Sequence, residues 1–348
     1  MMKSIIAFFF AIILLTGCSK KSEEPKVNDA TKYQVDTTDV KTIPVDNPNE
    51  SFNLDYKLAV GKTYHYRLTN TTSEIQTITT DSTIQSNVKQ TIVTLIDLSP
   101  ASVDKDGVIE INCMITGVKL NANANGNEFS YESGVTKDSI EINKFAEYES
   151  LINSELGIRI TKNGEILEIF RTDKILDKYL RIKGLADSIN AQQRDQLKKN
   201  MVIGALNPLF YQVFRKMPEK QMAKDSTWFY KQPAAKMMVF DVQNTNTYRI
   251  LNVEKYGDSK LAVIEGGMET KITGNNKTTQ QGVTYNFSKP ETNAGGKIYF
   301  NVTDGCIQKS KTYTNAKINY SMVAKTPQGT QKGVKTEDIR NSYLLERL

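Results

Sequence analysis

The sequence predicts a mainly β (α+β) protein in which two related antiparallel β-sheet lobes are joined by a helical segment at about residues 172–217. Apolar and polar residues alternate with a period of two through most of 51–171 and 218–348, which is typical of strands with one buried and one solvated face. Turns containing Gly and Asp or Asn separate these stretches. In 172–217 the apolar residues recur at helical spacing instead.

The first lobe, predicted at 51–171, opens with the stretch YKLAVGKTYHYRL at 56–68. Tyr64, Tyr66 and Leu68 share one face of a strand there, and His65 and Arg67 share the other. Later in this lobe, LGIRITKNGEILEI at 156–169 crosses an Asn-Gly dipeptide, which tolerates the positive φ values of hairpin turns. The first half is therefore expected to be a series of hairpins.

The helical connector is predicted at 172–217. Thr172 is placed to cap a helix that carries Ile175 and Leu176, and Gly184 is placed to break it. Asn207-Pro208 is typical of the start of a last short helix. We expect these helices to cover the sheet with core residues, and a ligand-binding lid is the alternative.

The second lobe, predicted at 218–348, repeats the order of pieces in the first. The stretch at 91–114 is matched by 247–268, and the hairpin at 156–169 is matched by GGKIYFNVTDGCIQKS at 295–310. Both matched pairs contain Gly-Asp or Gly-Asn turns, and this echo predicts that the two halves are related. Long one-sided strands beside a helical segment also allow a curved half-barrel sheet with the helices as a plug.

The N-terminus begins with a lysine and an apolar run, Ile5 to Leu15, of 11 residues. As a helix this run reaches only about 16 Å, too short to cross a bilayer, and it is typical of a secretory signal peptide. Leu15-Thr16-Gly17-Cys18 resembles the lipobox of bacterial lipoproteins. That resemblance implies cleavage after residue 17, a lipid such as palmitate on Cys18, and partnership with a membrane through this anchor. Ser19 in place of Asp implies the outer membrane, on its periplasmic face or at the cell surface.

Residues 18–50 are predicted to be a flexible tether because large apolar side chains are few there. Within it, Asp36-Thr37-Thr38 resembles the O-glycosylation sequon of Bacteroidota envelope proteins, so Thr37 is a candidate glycosylation site. The net charge of +6 is spread along 348 residues without a basic run, which argues against nucleic acid as a partner.

Besides Cys18, the chain has Cys113 and Cys306. An oxidising compartment allows one disulfide between them, and two separate buried thiols are the alternative. Neither lies in a CxxC motif or next to a histidine, so no metal site and no cofactor are predicted. His65 is the single histidine and lies on the predicted wet face, so no catalytic residues are assigned and an enzyme is not expected.

Two further motifs, YKLxxGKTYxY at 56–66 and DSTW at 225–228, together with the lipobox and the tether, resemble an uncharacterised family of Bacteroidota envelope lipoproteins of unknown function. The resemblance implies a cell-envelope location and no particular activity. Three functions stay open: a non-enzymatic module that binds a protein or ligand, a carrier of lipid or another hydrophobic ligand in a cavity between sheet and helices, and an envelope glycan hydrolase with a cleft of converging acids.

Overall fold

The computed structural model describes residues 30–47, 49–135, 138–326 and 329–348. These residues form one open antiparallel sheet, with five short α-helices packed mostly on one of its faces. The strands are β1 (Ile43–Pro44), β2 (Tyr64–Thr79), β3 (Thr83–Val103), β4 (Ile109–Ala124), β5 (Asn127–Glu132), β6 (Glu155–Ile160), β7 (Ile166–Phe170), β8 (Thr227–Lys231), β9 (Ala235–Met237), β10 (Phe240–Tyr256), β11 (Ser259–Gly274), β12 (Lys277–Gln280), β13 (Val283–Phe287), β14 (Glu291–Asn301), β15 (Cys306–Thr326) and β16 (Gly329–Arg347).

The two predicted β-lobes are the two halves of this single sheet. The main path runs β1-β10-β11-β14-β15-β16-β2-β3-β4-β6-β7, so the last strand of the chain, β16, pairs with β2 and joins the halves edge to edge. The pieces matched in the sequence hold the same order in each half, β3-β4-β6-β7 and β10-β11-β14-β15. The mainly β, antiparallel fold class is confirmed, and the kinship of the halves remains a prediction.

The predicted hairpin turns are present and depend on glycine. Gly164 has φ of 84° and Gly305 has φ of 62°, in the left-handed region that other residues adopt at a cost. Both turns also hold other segments. The carbonyl of Asn163 accepts a hydrogen bond from the Met217 amide, and the carbonyl of Gly305 accepts one from the Lys57 amide.

The helices are α1 (Ser139–Lys144), α2 (Ala146–Leu151), α3 (Asp173–Ile182), α4 (Ala191–Met201) and α5 (Asn207–Val213), and a π-helical turn at Val202–Leu206 joins α4 to α5. The predicted connector is therefore helical. The helices α1 and α2 are additional, since the sequence pattern did not predict them. Thr172 precedes α3 as expected, but its side chain does not cap the helix, and its buried hydroxyl has no partner in the described residues.

The main core lies between the helices and one face of the sheet, which we call the inner face. Leu68, Ile111 and Ile264 point to this face from both halves and are at most 3% exposed. From the helical side, Phe210 of α5 is fully buried. The ring of Tyr56 lies edge-on to Phe214 at 5.7 Å and to Phe300 at 5.4 Å. The space between sheet and helices is filled by these side chains.

The opposite, outer face of the sheet is crossed by residues 31–44, which we call the strap. Tyr33, which is 7% exposed, packs on Val93 and Leu95 of β3. Gly117 permits this approach, because a Cβ there would lie 2.6 Å from the Tyr33 hydroxyl. At the far end, Val40 packs against the outer side of β11 and β14, and β1 pairs with the edge of β10.

The strap is also held by two aspartates. Asp36 accepts a hydrogen bond from Lys309 Nζ at 3.0 Å, and Asp39 pairs with Lys297 and Lys311 at 3.4 and 3.3 Å. The prediction of a flexible tether over 18–50 is thus wrong for residues 30–47. Two well-spaced apolar side chains and two paired carboxylates dock a segment whose overall composition is polar, whereas residues 18–29 lie outside the described residues.

We expect Asp36→Ala to speed amide hydrogen exchange across residues 33–44. Hydrogen bonds from the Thr38 side chain and amide, followed by the one from Lys309, hold the pKa of Asp36 well below its usual range. The carboxylate is therefore ionised, and its contribution to docking is present above about pH 4 and lost only in stronger acid. Thr37→Ala is the matched control, because the Thr37 side chain is exposed. Equal exchange in both variants would contradict this role.

No helix in the described part of the chain is both long and apolar enough to cross a membrane.

Candidate functional site

The residues singled out in the sequence are spread over the molecule. Cys18, the predicted lipid attachment site, lies outside the described residues. Thr37 is exposed in the strap, between Asp36 and Thr38, whose amide donates to Asp36 Oδ1 at 2.9 Å. Glycosylation of Thr37 stays a prediction, and the exposed side chain is compatible with it.

The structure holds Cys113 and Cys306 as separate free thiols, so the candidate disulfide is corrected to the alternative of two buried cysteines. Cys113 lies on β4 and Cys306 at the start of β15, with β3, β2 and β16 between them. Four strand spacings amount to roughly 19 Å along the sheet, whereas a disulfide needs Cα atoms within about 7 Å. Burial raises the pKa of both thiols, which keeps them protonated and unreactive.

His65 lies on the outer face of β2, as expected from the alternation. Its side chain is about half exposed, and Nδ1 is 2.7 Å from Asp97 Oδ1 on the neighbouring strand. This cross-strand pair is at the surface, on the face opposite the helices.

Just beyond the helices, the residues that line the inner face change in type. In place of Leu, Ile and Phe, one line of residues running across seven strands is polar, aromatic or glycine, and most of its members are half-buried. Strand register places each member beside the next on the same face. We call this line the inner-face row, and it consists of Asn70, Tyr343, Thr312, Gly296, Gly266, Tyr248 and Trp228.

Two adjacent glycines clear the middle of the row. Gly296 has φ of 146°, and a Cβ there would lie 2.1 Å from the Lys311 carbonyl oxygen, so no other residue fits. Gly266 is different, because its Cβ would meet the Tyr248 ring at an ordinary 3.5 Å. Between Thr312 and Tyr248 the floor of the inner face is therefore bare backbone.

Arg215, directly after α5, reaches this floor from the helical side. Its backbone amide donates to the Tyr56 hydroxyl at 2.9 Å, and Nη2 donates to Thr312 Oγ1 at 3.3 Å and to the Gln212 side chain. Among the described residues, no carboxylate lies within 4.0 Å of the half-buried guanidinium, and its Nε has no acceptor. Arg215 thus brings a positive charge to the row without a matching negative one.

The aromatic members keep their protons. Burial raises the pKa of Tyr248 and of Tyr343, and the nearby Arg215 charge opposes this only in part. Tyr248 stacks on Trp228 with ring centroids 5.0 Å apart. Two further polar atoms of the row, Asn70 Oδ1 and Trp228 Nε1, are buried without a partner in the described residues. The row therefore carries hydrogen-bond donors and acceptors, Arg215 beside it supplies a positive charge for an anion, and the row contains neither a Cys nor a Ser nucleophile.

Two carboxylates also come together on the inner face, nearer the distal strand ends. Glu74 of β2 and Glu337 of β16 are diagonal neighbours across the pair β2–β16. Burial, and then repulsion from Glu337, raises the pKa of Glu74, while Lys335 forms an ion pair with Glu337. The inner face thus carries two neighbouring carboxyl groups, one with a raised pKa and one in an ion pair.

Sequence reasoning did not find the inner-face row or Arg215. The available signal was an arginine inside the apolar run at 209–217, LFYQVFRKM, where the neighbouring Phe214 and Met217 are core residues. The seven members of the row are far apart in the chain. Only the register of seven strands shows that they are adjacent.

Comparison with known proteins gives a family and no activity. A model described as "Family of unknown function (DUF6263)" matches residues 106–307, more than half of the chain. No curated protein matches. Among solved structures, a lipovitellin structure on lipid–protein interactions is similar at 12% identity and a TM-score of 0.44, covering 84% of this chain and 25% of that one. An outer membrane channel from Pseudomonas putida F1 is similar at 8% identity and a TM-score of 0.18, covering 88% and 100%. The chain spans a quarter of the lipovitellin chain.

Proposed function

The chain belongs to this family of unknown function, DUF6263, and on that premise we propose that it is a lipid-anchored protein of the cell envelope that binds a ligand or partner without catalysis. Cys18 carries the lipid, and the inner face of the sheet carries the binding site. The outer membrane is the proposed location.

The anchor is supported by the lipobox-like sequence and by the position of the strap. Eleven residues lie between Cys18 and Ala30, and the twelve steps from one to the other span at most about 43 Å when fully extended. The strap docks Tyr33 on the outer face beside β3 and β4, so the described chain starts on that face. The body would stay close to the membrane, with the helices and the inner face on the opposite side of the sheet from the strap.

Binding is supported by one observation above all, the half-buried guanidinium of Arg215 without a carboxylate partner. A charge taken partly out of water costs free energy unless it is paired. A site that keeps such a charge, beside a bare glycine floor and unpartnered polar atoms, is better suited to a ligand than to packing.

We expect Cys18→Ala protein to be released from the membrane fraction and to lose labelled palmitate. The thiol is the only attachment point that the proposal allows, and two or more acyl chains make anchoring durable. Ser22→Ala is the control and should remain in the envelope. Sedimentation of Cys18→Ala protein with the membrane, or absence of palmitate on the wild type, would refute the anchor.

A carrier of lipid or another hydrophobic ligand is a second candidate, because the largest buried apolar cluster of the described residues lies between the inner face and the helices. That space is filled by Tyr56, Phe210 and Phe300, so the helical segment would have to move aside. Extraction of purified Cys18→Ala protein followed by mass spectrometry tests this idea. Absence of bound lipid, together with no binding of fluorescent fatty acids, would remove it.

An envelope glycan hydrolase is a third candidate, favoured by the Glu74 and Glu337 pair. One protonated and one ionised carboxyl group are the requirement for glycoside hydrolysis. Turnover on a panel of glycans that is abolished by Glu337→Gln would establish this activity in place of simple binding. No turnover by the wild-type protein would dismiss it.

A further inference from the structure

We infer that the inner-face row binds a sugar that carries a carboxylate, with Arg215 taking the carboxylate and the row taking the ring and its hydroxyls. This inference rests on the proposed binding function and names its ligand class. It is independent of the lipid anchor.

Arg215 indicates that the ligand carries an anionic group. Two other arginines near the core are matched by acids: Arg67 pairs with Glu346 at 2.9 Å, and Arg347 pairs with Asp304 at 2.6 Å. Within the described part of the chain, the Arg215 guanidinium has only the neutral oxygens of Gln212 and Thr312 as partners, and its Nε has no acceptor. A guanidinium is planar and matches the two oxygens of a carboxylate, so a ligand carboxylate would complete its hydrogen bonding and balance its charge.

The glycines and aromatic rings of the row indicate that the body of the ligand is a ring. Beside Arg215 the floor carries no side chain at Gly266 or Gly296, so a ring bound there would lie against backbone and beside the Tyr248 ring, which a Cβ on Gly266 would meet at 3.5 Å. At one end of the row, Tyr248, which is 9% exposed, stacks on the half-buried Trp228, whose buried indole N–H has no acceptor among the described residues. An aromatic surface with a polar edge suits a ring that has one apolar side and hydroxyls at its rim.

The polar side chains in and around the row favour a ligand with hydroxyl groups. On β2, β16, β15 and β10 the next inner-face residues carry amides or hydroxyls, as in the hydrogen bond of 2.8 Å from Thr72 Oγ1 to Asn341 Oδ1, whereas β14 and β11 continue with Ala294 and Met268. Asn70 Oδ1 offers an acceptor to a hydroxyl donor. An alkyl chain on this floor would leave such groups unpaired, at a cost for each buried one. A fatty acid is therefore a poorer fit than an acidic sugar, and a bare phosphate would use Arg215 alone and none of the row.

The test is calorimetric titration of the full-length lipidated protein in detergent with three probes: digalacturonate, the neutral digalactose and inorganic phosphate. We expect digalacturonate to bind, and to bind at least tenfold more tightly than digalactose. Arg215→Gln should weaken binding of digalacturonate at least tenfold, because the charge-assisted hydrogen bonds are lost. Gly266→Ala should weaken it comparably while leaving the melting temperature near that of the wild type, since its Cβ meets only an ordinary contact. Arg159→Gln is the matched control, because Arg159 is an exposed, ion-paired arginine on the outer side of β6.

Several results would overturn the inference. They are failure of wild-type protein to bind digalacturonate, equal affinity for digalactose, binding of phosphate alone, and undiminished affinity in Gly266→Ala. If Arg215→Gln does not fold, Arg215→Lys replaces it. That variant keeps the charge but loses the planar fork, so a weakened affinity for digalacturonate supports the inference and an unchanged one contradicts it. Fractionation of Cys18→Ala protein reports on the anchor separately, so failure of the sugar site and failure of the anchor cannot be confused.

Discussion

Glu346→Ala is expected to lower the free energy of unfolding by about 3–5 kcal/mol, the usual cost of removing one partner from a buried ion pair. Glu346 is 5% exposed on the outer side of β16, with Arg67 at 2.9 Å and Lys309 at 3.8 Å. Both basic side chains are themselves less than a tenth exposed. Without the carboxylate they would face each other with only Asp36 of the strap nearby.

Urea unfolding monitored by fluorescence measures this loss. Asp338→Ala on the same strand is the matched control, because its ion pair with Arg340 is largely exposed and should contribute no more than about 1 kcal/mol. Glu346→Gln keeps the size of the side chain but not its charge, and should stay close to Glu346→Ala. A loss below 1 kcal/mol in both Glu346 variants would show that the charged cluster of Glu346, Arg67 and Lys309 does not stabilise the contact between strap and sheet.

Phe210→Ala is expected to cost about 3–5 kcal/mol, because it leaves a cavity where α5 meets the inner face. Phe210 is fully buried, and Val213 on the same helix is 1% exposed. The helix has only seven residues, too few to be stable alone, so packing must hold it in place. We expect the loss of this ring to loosen α5 and, with it, the position of Arg215.

An exposed phenylalanine provides the control for Phe210→Ala. Phe229 on the edge strand β8 is 76% exposed, so Phe229→Ala should change the free energy of unfolding by no more than about 0.5 kcal/mol. Chemical denaturation of the two variants side by side gives the comparison directly. Equal effects in both would contradict the assignment of the core to the inner face.

Local sequence patterns predicted the fold class, because each pattern depends only on residues a few positions apart. The alternation at Tyr64, Tyr66 and Leu68 reports which face of a strand is buried, because side chains alternate across a strand whatever lies next to it. Asn163-Gly164 reports a tight turn, because few residues adopt its backbone angles. The helical connector followed from apolar spacing in the same way, although α1 and α2 were too short to leave a clear pattern.

Composition led to a wrong prediction where a few specific contacts determine the structure. The strap looked like a tether because most of its residues are polar, yet Tyr33 and Asp36 hold it against β3 and β15. The candidate disulfide failed for the opposite reason. Cys113 and Cys306 are both core residues, as small thiols often are, but the sheet places three strands between them.

From its residues alone the chain specifies antiparallel strands, their turns, their buried faces, a helical insert and a lipobox-like start, since each depends on neighbours a few positions away. Folding in three dimensions decides that both halves share one sheet through β16 and β2, that the strap crosses its outer face, and that Arg215 contacts Thr312 beside Gly296. Those contacts join residues that lie tens to hundreds of positions apart, and strand register is set by the summed packing of whole faces, which no short stretch of sequence contains.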